Sequence, residues 1–531
     1  MIDQTTEPAI APERLAALER IQQRVLWLAT AMIDHANNRR ANPEGSKVGG
    51  HQASSASVVS ILTALYFEFL RAGDRVSVKP HASPAYHAVQ YLLGNLPRHY
   101  LTTLREFHGL QAYPSRTKDP DPVDFSTGSV GLGAVAPAFA ALTHRYAKLH
   151  FGEVTSNRFI SILGDAELDE GNVWEATTEG HLSGLGNVIW IVDLNRQSLD
   201  RVVPGIRAAQ LKSLFRDARW HVVEAKYGRR LQAAFARPGG EALRRRIDDM
   251  SNEEYQMLLR RDGPTIRDRL ISGAGADADD LTRTIAGVPD ADLPALIADL
   301  GGHDLVELLT AFRAADAARE APSVVFAYTI KGWGLPIAGD PLNHSIVLSA
   351  DRLAQVRDQL GIDPADEWAG FEAESAEGQI CREAAARLGE AVPPPAPPIR
   401  PDQVPAQLAA PSLPTTSSQE AFGRLLADLH RAELIGRRIV TTSPDVAIST
   451  NLAGWINRAG VFESTAQIDY GPEGPRLIRW QPGPTGQHIE LGISEMNLFM
   501  LLGQLGLSYE LSGQHLIPIG TVYDPFICRG L

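Results

Sequence analysis

Cysteine is scarce in this sequence, and long apolar runs and an excess of positive charge are absent. Only two of the 531 residues are cysteines, Cys381 and Cys528, which excludes a disulfide scaffold and a four-cysteine metal site and favours a reducing compartment. No stretch approaches the roughly 18 apolar residues of a membrane span, and the N-terminus lacks a signal-peptide pattern. The net charge of −13 argues against a diffuse surface that binds nucleic acid. We therefore expect a cytoplasmic protein with no nucleic-acid and no membrane partner.

The chain is long enough for several domains and apolar enough to bury large cores. Its 531 residues correspond to roughly three domains of ordinary size, and 44% of them are hydrophobic. Four apolar runs rich in β-branched residues alternate with helical patterns, at 159–163, 187–192, 220–223 and 323–327. Buried strands that alternate with helices predict an α/β domain whose parallel sheet is covered on both faces.

A proline-rich stretch separates this region from the rest of the sequence. Seven prolines lie between 391 and 405, a composition typical of an extended linker. We therefore predict a first domain over 1–390 and a linker over 391–415. Within the first domain the more polar stretch at about 228–300 is interpreted as a solvated helical insertion without a catalytic role.

A second α/β pattern begins after the linker. It consists of a helical segment at 418–429, an apolar strand near 439–440 and a helix at about 494–505. The pattern predicts a second parallel-sheet domain over 416–531. Because open α/β domains of this kind usually need more residues, we expect this domain to be incomplete.

Two polar motifs directly follow two of the predicted strands. Gly164-Asp165-Ala166-Glu167 follows the first strand and Asn195-Arg196-Gln197 follows the next, so that Asp165 and Asn195 are thirty residues apart. Side chains at the carboxyl ends of neighbouring parallel strands can meet one ion, and carboxylate, amide and carbonyl oxygens suit magnesium. Taken singly, Asp165 and Asn195 would more ordinarily act as a helix N-cap and a turn former than as metal ligands.

The combination of the two motifs resembles the cofactor fingerprint of the transketolase superfamily of thiamine-diphosphate enzymes, which begins Gly-Asp-Gly and ends in an Asn about thirty residues later. The resemblance implies that magnesium is bound by Asp165, Asn195 and the carbonyl of Gln197, and that Gly164 and Glu167 line the cofactor site. The sequence departs from the fingerprint at Ala166, where the family has glycine, and we expect weakened binding at most.

Further motifs follow in the superfamily's order along the chain. Gly50-His51 and His81-Ala82-Ser83-Pro84 resemble its two early histidine motifs, and the turn at 128–133 resembles the glycine-rich turn beside the aminopyrimidine ring. Gly302-His303-Asp304, Lys331-Gly332-Trp333-Gly334 and His344 come later. The resemblance implies that His81 and His344 act on the substrate. The cofactor contacts that it implies in these motifs are His51, Ser129, Val130, Gly131, Leu199 and Lys331.

In the second domain, Gly492-Ile493-Ser494-Glu495 resembles the motif that carries the superfamily's activating glutamate. The resemblance implies that Glu495 shares a proton with the aminopyrimidine ring of the cofactor, whereas Glu495 alone could be a first-turn acid at a helix start. Phe526, in Tyr523-Asp524-Pro525-Phe526, is the candidate for the aromatic residue that stacks on that ring, with an ordinary core phenylalanine as the alternative.

Within the superfamily, the sequence is most similar to the homodimeric decarboxylating component of 2-oxo acid dehydrogenase complexes. The long interval between Asn195 and His303 and the wording Arg196-Gln197-Ser198-Leu199-Asp200 carry this similarity. It implies oxidative decarboxylation of pyruvate or 2-oxobutyrate, with acyl transfer to a lipoyl domain of an acyltransferase partner. Ser115 stands where pyruvate-specific members have histidine. Ketol transfer between sugar phosphates and a catalytically silent fragment are the alternatives.

Overall fold

The computed structural model describes most of the chain, and all structural statements below refer to that part. The described residues are 10–43, 45, 47–152, 157–198, 201–202, 207–390, 395–409, 415–444, 446, 449–465 and 482–530. The β-strands are β1 (Arg75–Ser77), β2 (Phe159–Gly164), β3 (Val188–Leu194), β4 (Gln197–Ser198), β5 (Arg201–Val202), β6 (His221–Ala225), β7 (Ser323–Tyr328), β8 (Ile439–Ser443), β9 (Val461–Phe462), β10 (Pro482–Gly483), β11 (His488–Glu490) and β12 (Ile517–Gly520).

The first sheet is five-stranded, has the order β1-β2-β3-β7-β6, and every neighbouring pair is parallel. The four apolar runs identified in the sequence form β2, β3, β6 and β7, so the predicted parallel α/β sheet is confirmed. Residues alternate between two apolar clusters along each central strand. Ile160 and Ile162 of β2 belong to one cluster, and Phe159 and Leu163 belong to the other. Both faces are therefore buried, which explains the continuous apolar runs.

Helices cover both faces of this sheet. The cluster around Ile160 includes residues of α1, α3, α4 and α14, and the cluster around Phe159 includes residues of α5. The helices that precede the predicted linker are α1 (Pro12–Asp34), α2 (Gln52–Ala56), α3 (Val59–Ala64), α4 (Ser83–Leu92), α5 (Leu132–Phe151), α6 (Gly171–Thr177), α7 (Arg207–Asp217), α8 (Arg229–Phe235), α9 (Gly240–Asp248), α10 (Asn252–Leu258), α11 (Gly263–Ser272), α12 (Ala278–Ala286), α13 (Leu293–Ile297), α14 (Leu305–Ala317), α15 (Ala350–Gln359) and α16 (Ala376–Leu388). The stretch at about 228–300 is helical, since it contains α8 to α13.

A second five-stranded parallel sheet has the order β10-β9-β11-β8-β12. Its helices are α17 (Ser418–Leu429), α18 (Glu433–Gly436), α19 (Ala453–Ala459), α20 (Glu495–Gly506) and α21 (Ser508–Ser512). The predicted helix at 418–429 and strand near 439–440 are both present. Both parallel α/β regions therefore exist, while the domain boundaries at 390 and 416 stay predictions.

The two sheets share one apolar cluster. Val440, Phe462 and Ile489 of the second sheet belong to the same cluster as Trp190 of β3 and Phe139 of α5. Helix α20 lies against α5, which connects the start of α20 to the first sheet. The described helices are all too short or too polar to cross a membrane.

Candidate active site

Asp165 and Asn195 lie at the carboxyl ends of adjacent strands. Strands β2 and β3 are paired with Gly164 opposite Asp193, so the next residues of each strand emerge at the same edge of the sheet. Asp165 Oδ2 accepts a hydrogen bond from the backbone N–H of Arg196 at 2.7 Å. Asn195 Oδ1 accepts one from the backbone N–H of Gln197 at 3.0 Å. The short loop after β3 therefore fixes both side chains next to each other.

These residues line a cavity of about 400 Å³ at the edge of the first sheet. The predicted site residues in its wall are His81, Ser129, Gly164, Asp165, Glu167, Asn195, Gln197, Lys331 and His344. Ala166, which departs from the fingerprint, also lines the cavity and is exposed to it. Its methyl group therefore forms part of the cavity wall and does not occupy space in the packed interior. Most of the site residues predicted in the first domain therefore line this one cavity.

Two acidic residues of this cavity, Asp165 and Glu167, resist ionisation. Burial, together with the nearby Asp193 charge, raises the pKa of Asp165 to about 7. Burial raises the pKa of Glu167 to about 7 as well, although its Oε2 accepts a hydrogen bond from the backbone N–H of Gly164 at 2.8 Å. Carboxylates in this condition bind either a proton or a cation, so the wall of the cavity favours a positively charged partner.

A buried ionic network lies behind the carboxyl end of β3. The Lys79 ammonium pairs with Asp193, whose carboxylate also accepts hydrogen bonds from Ser57 Oγ at 2.7 Å and from Thr329 Oγ1. The same carboxylate accepts a bond from Asn195 Nδ2 at 3.2 Å. Burial opposes ionisation of Asp193, but the Lys79 charge and the hydrogen bonds from Lys79, Thr329 and Ser57 together outweigh it and lower the pKa of Asp193. The network therefore turns the Asn195 amide so that its oxygen points away from Asp193.

Sequence reasoning missed Lys79 and Asp193, although both had a detectable signal. Asp193 is a carboxylate inside an otherwise apolar strand, and Lys79 lies two residues before His81. Tyr113 and Ser54 also line the cavity and were not predicted. A charged residue inside a buried strand requires a partner, which would have drawn attention to Asp193.

Three histidines form a cluster at one side of the cavity. The ring centroid of His51 lies 4.1 Å from that of His81 and 4.4 Å from that of His344. His51 Nδ1 is 2.7 Å from the backbone oxygen of His344, and Lys331 Nζ is 3.2 Å from His344 Nδ1. Burial, followed by the neighbouring His51 and Lys79, lowers the pKa of His81 to about 3. At neutral pH the His81 imidazole is therefore uncharged and is able to donate a hydrogen bond without giving up a proton.

The glycine-rich turn begins α5 next to the cavity. Gly131 has a φ of 75°, and a Cβ atom there would lie 2.7 Å from Asn172 Oδ1. Asn172 Nδ2 donates a hydrogen bond to the carbonyl of Val130 at 3.0 Å. Ser129 reaches the cavity wall, whereas Val130 and Gly131 are not part of the wall formed by the described residues. Gly131 thus allows the turn that carries Ser129.

Glu495 and Phe526 lie outside this cavity. Glu495 is the first residue of α20, is buried, and its Oε2 accepts a hydrogen bond from Arg529 Nη1 at 2.6 Å. Arg529 also binds Glu175 of α6 at 2.7 Å. The Phe526 side chain is 44% exposed. Within the described part of one chain, the glutamate and the Asp165 cavity are therefore separate. Leu199 lies outside the described residues.

Comparison with known families and proteins gives consistent matches. A family model described as the thiamine diphosphate binding domain of transketolase matches residues 50–237 and 291–385. The interruption between the two matched parts falls inside the helical stretch formed by α8 to α13.

Curated relatives match almost the whole chain. The pyruvate dehydrogenase E1 component of Cupriavidus necator is 28% identical over 535 residues, which cover 96% of this chain and 58% of that protein. The Pseudomonas aeruginosa protein of the same name is 28% identical, with 98% of this chain and 61% of that protein covered. The Escherichia coli K12 protein of the same name is 25% identical. The chain spans about three fifths of the length of these relatives.

Solved structures show the same fold at lower identity. Transketolase from Leishmania mexicana superposes with a TM-score of 0.64 at 17% identity, covering 97% of this chain and 65% of that one. Transketolase from Campylobacter jejuni gives a TM-score of 0.63, also at 17% identity, with 97% and 66% covered.

Proposed function

The chain belongs to the family of transketolase thiamine-diphosphate-binding domains, and on that premise we propose that it binds thiamine diphosphate with Mg²⁺ in the Asp165 cavity and decarboxylates a 2-oxo acid. The observation that carries this proposal is the meeting of Asp165, Asn195 and Gln197 in one cavity of about 400 Å³. That volume lies in the range of ordinary cofactor pockets.

The donor set of the cavity fits a magnesium ion. Asp165 offers a carboxylate oxygen, Asn195 an amide oxygen and Gln197 its backbone carbonyl, all hard ligands suited to Mg²⁺. Two features support the assignment. The raised pKa of Asp165 shows that its charge lacks compensation in the bare chain, and the Lys79–Asp193 network holds the Asn195 amide by its nitrogen. A divalent ion would stabilise the ionised form of Asp165.

The diphosphate would lie among cationic and polar groups of the same cavity. Lys79 and Lys331 are both buried and line its wall together with Ser129. A buried ammonium group stabilises phosphate oxygens much more strongly than a solvated one does. Lys331, whose ammonium lies 3.2 Å from His344 Nδ1, is the cation that we assign to the diphosphate.

Bound thiamine diphosphate supplies an electron sink for the loss of CO₂ from a 2-oxo acid. The chain's own contribution is to orient and to exclude water. His81 and His344, which line the cavity with Tyr113, would hydrogen-bond the substrate's keto oxygen and carboxylate. The neutral state of His81 suits a hydrogen-bond donor at that position.

The proposed site is completed by a second copy of the chain. Glu495 must contact the aminopyrimidine ring in this proposal, yet it lies outside the Asp165 cavity of its own chain. A homodimer in which each cavity receives Glu495 and Phe526 from its partner resolves this separation. Arg529, which binds Glu495 in the single chain, would then have to release it.

The identities of the 2-oxo acid substrate and of the acyl acceptor are proposed from similarity to known proteins. Relatives named pyruvate dehydrogenase E1 component match most of the chain, which supports pyruvate as substrate. 2-Oxobutyrate as the alternative acid and a lipoyl acyltransferase as partner are proposed from the family resemblance of the sequence alone. Ser115, whose backbone N–H donates to Asp119 at 2.7 Å, lies close to the cavity residue Tyr113. Magnesium, the dimer, the partner and the cytoplasmic location belong to the proposal.

Cofactor titration tests the metal and cofactor assignment. Thiamine diphosphate should quench the intrinsic fluorescence of the chain only when Mg²⁺ is present. Asp165→Ala and Asn195→Ala should each abolish the quenching, because the diphosphate charge is then left without its ion. Asp217→Ala, at an exposed end of α7, is the matched control and should bind normally. Normal quenching by Asp165→Ala would refute the assignment.

Subunit complementation tests the shared site. Asp165→Ala and Glu495→Ala chains should each be inactive with pyruvate and 2-oxobutyrate, whereas a mixture of the two should regain part of the CO₂ release through one intact site per mixed dimer. Activity of the Glu495→Ala chain alone, or no recovery after demonstrated subunit exchange, would contradict a site built from two copies.

A further inference from the structure

A second cluster of potential metal ligands lies apart from the cofactor cavity. His87 belongs to α4. Asp119 and Asp121 follow the cavity residue Tyr113 in the loop that precedes α5. The side chains of all three residues have 0% exposure. They offer one ligand atom each, and these atoms lie within 4.8 Å of one another.

The hydrogen bonding of this cluster is incomplete. His87 Nδ1 lies 2.8 Å from Asp121 Oδ2, which is a normal hydrogen bond. His87 Nε2 lies 3.9 Å from Asp119 Oδ1, which is too long for one. Both His87 Nε2 and Asp121 Oδ1 are buried without any hydrogen-bond partner. Two buried polar atoms without partners in one small cluster leave its hydrogen bonding open to a further ligand.

The charge of the cluster is also unbalanced. Among the ion pairs of the described residues, none gives Asp119 or Asp121 a lysine or arginine partner. The neighbouring Asp124 differs, because Arg75 Nη1 binds it at 2.8 Å. Two buried carboxylates therefore face a single imidazole, and even a protonated His87 would leave one negative charge uncompensated.

We propose that His87, Asp119 and Asp121 bind a divalent transition-metal ion, with Zn²⁺ as the best fit, at a site distinct from the magnesium site at Asp165. One imidazole and two carboxylates form a ligand set that Zn²⁺ accepts, and they neutralise its charge. Asp121 faces Nδ1 of His87 and Asp119 faces Nε2, so ligand distances of about 2.0–2.2 Å require the imidazole to turn until one nitrogen meets both carboxylates. The rest of the coordination shell is available to a buried water molecule.

The ion would anchor the segment that carries Tyr113. Asp119 already accepts hydrogen bonds from the backbone N–H groups of Gln111 at 2.8 Å and Ser115 at 2.7 Å, on either side of Tyr113. Helix α4 carries His87 and begins just after His81, which belongs to the histidine cluster. A metal ion bound both to His87 and to the loop after Tyr113 would therefore fix Tyr113 relative to that cluster. The site is therefore structural and does not depend on the proposed reaction.

Metal analysis of the intact chain is the primary test. The protein is purified without thiamine diphosphate, loaded with Zn²⁺ or with Co²⁺, and dialysed against metal-free buffer. We expect about one equivalent of tightly bound ion per chain, and a visible Co²⁺ spectrum typical of nitrogen and oxygen ligands. A strong chelator should lower Tm by at least about 3 °C. A wild-type chain that retains no ion under these conditions overturns the proposal without any variant.

Variants then locate the ion. His87→Gln and Asp119→Asn should lose the bound equivalent and the chelator effect, while His99→Gln, at an exposed histidine, should keep both. Asp165→Ala should also keep the ion, which separates this site from the proposed magnesium site. The cluster of His51, His81 and His344 is the competing location. If His344→Ala removes the ion and His87→Gln does not, the ion belongs to the three histidines and the proposal is wrong.

Discussion

Lys79 and Asp193 form an ion pair that is buried next to the Asp165 cavity, and the paired carboxylate also accepts a hydrogen bond from the side-chain nitrogen of Asn195 at 3.2 Å. A candidate metal ligand is therefore oriented by a charged pair that itself need not touch the metal. This arrangement makes the amide of Asn195 a fixed ligand, since its nitrogen is already occupied.

The buried ion pair predicts that substitutions of Lys79 and of Asp193 have strongly coupled effects on the free energy of unfolding. Lys79→Met should destabilise the cofactor-free chain by about 3–5 kcal/mol, because the Asp193 carboxylate is left buried without its cation. The double variant Lys79→Met/Asp193→Asn should lose clearly less than the sum of the two single variants. Urea unfolding of the four proteins measures the coupling. As a control for an exposed pair, Arg424→Gln, which removes the salt bridge to Glu420, should leave the free energy of unfolding almost unchanged. Additive single effects would contradict the coupling.

Gly131 predicts a second local sensitivity. Gly131→Ala combines a left-handed backbone with a contact of 2.7 Å to Asn172, and should destabilise the chain by about 2–3 kcal/mol and weaken cofactor binding through Ser129. Gly94→Ala is the matched control, since its φ is also positive at 81° but nothing lies within 4 Å of the new Cβ. It should lose only the backbone contribution of about 1 kcal/mol and bind cofactor normally. Thermal unfolding and cofactor titration provide the measurements, and equal losses in both variants would show that the Asn172 contact is unimportant.

The ionised Asp165 carboxylate should destabilise the metal-free and cofactor-free chain at alkaline pH. Its pKa in the folded chain is about 7, against an ordinary value of 3.8, so its stability contribution is fully present below pH 3.8 and is lost as the pH rises through 7. Asp165→Asn should therefore raise the free energy of unfolding by about 2 kcal/mol at pH 8 and by little at pH 4. Urea unfolding without metal at both pH values measures this difference. A variant less stable than wild type at pH 8 would contradict the buried, uncompensated charge.

The contribution of His303 to stability should change with pH in the opposite direction to that of Asp165. Burial lowers the pKa of His303 to about 3, and its Nε2 accepts a hydrogen bond from the backbone N–H of Ile330 at 2.8 Å, so the folded chain keeps it neutral. Because the ordinary value is 6.5, this contribution is present above pH 6.5 and is lost as the pH falls towards 3, at about 1.4 kcal/mol per pH unit. His303→Gln should reduce the steepness of acid destabilisation between pH 6 and 4, measured by urea titration against wild type. An unchanged slope would place the proton uptake elsewhere.

The positions of Asp165 and Asn195 were predictable because strand ends in a parallel sheet follow directly from the apolar runs. Helix α17 could likewise be read from its capping serine and its spacing of apolar residues, with Ser417 Oγ accepting from the backbone N–H of Glu420. These are local patterns, and their geometry is set by residues close together in the chain.

Contacts between distant segments were not predictable in the same way. Lys79 and Asp193 are 114 residues apart, and the His87 cluster joins α4 to a loop more than thirty residues later. Their pairing depends on how helices and loops pack on the sheet, which no local spacing determines. The separation of Glu495 from the Asp165 cavity is of the same kind, since the motif gives the residue but not the chain whose cavity it enters.

The apolar cluster that joins both sheets has a consequence for how the chain comes apart. Val440 and Phe462 share that cluster with Trp190, so neither sheet has a complete interior of its own. Loss of one sheet would expose part of the interior of the other, and the described regions are therefore expected to melt in a single cooperative transition. Cutting the chain in its proline-rich stretch would accordingly leave the two halves held together, and each half on its own would be prone to aggregate.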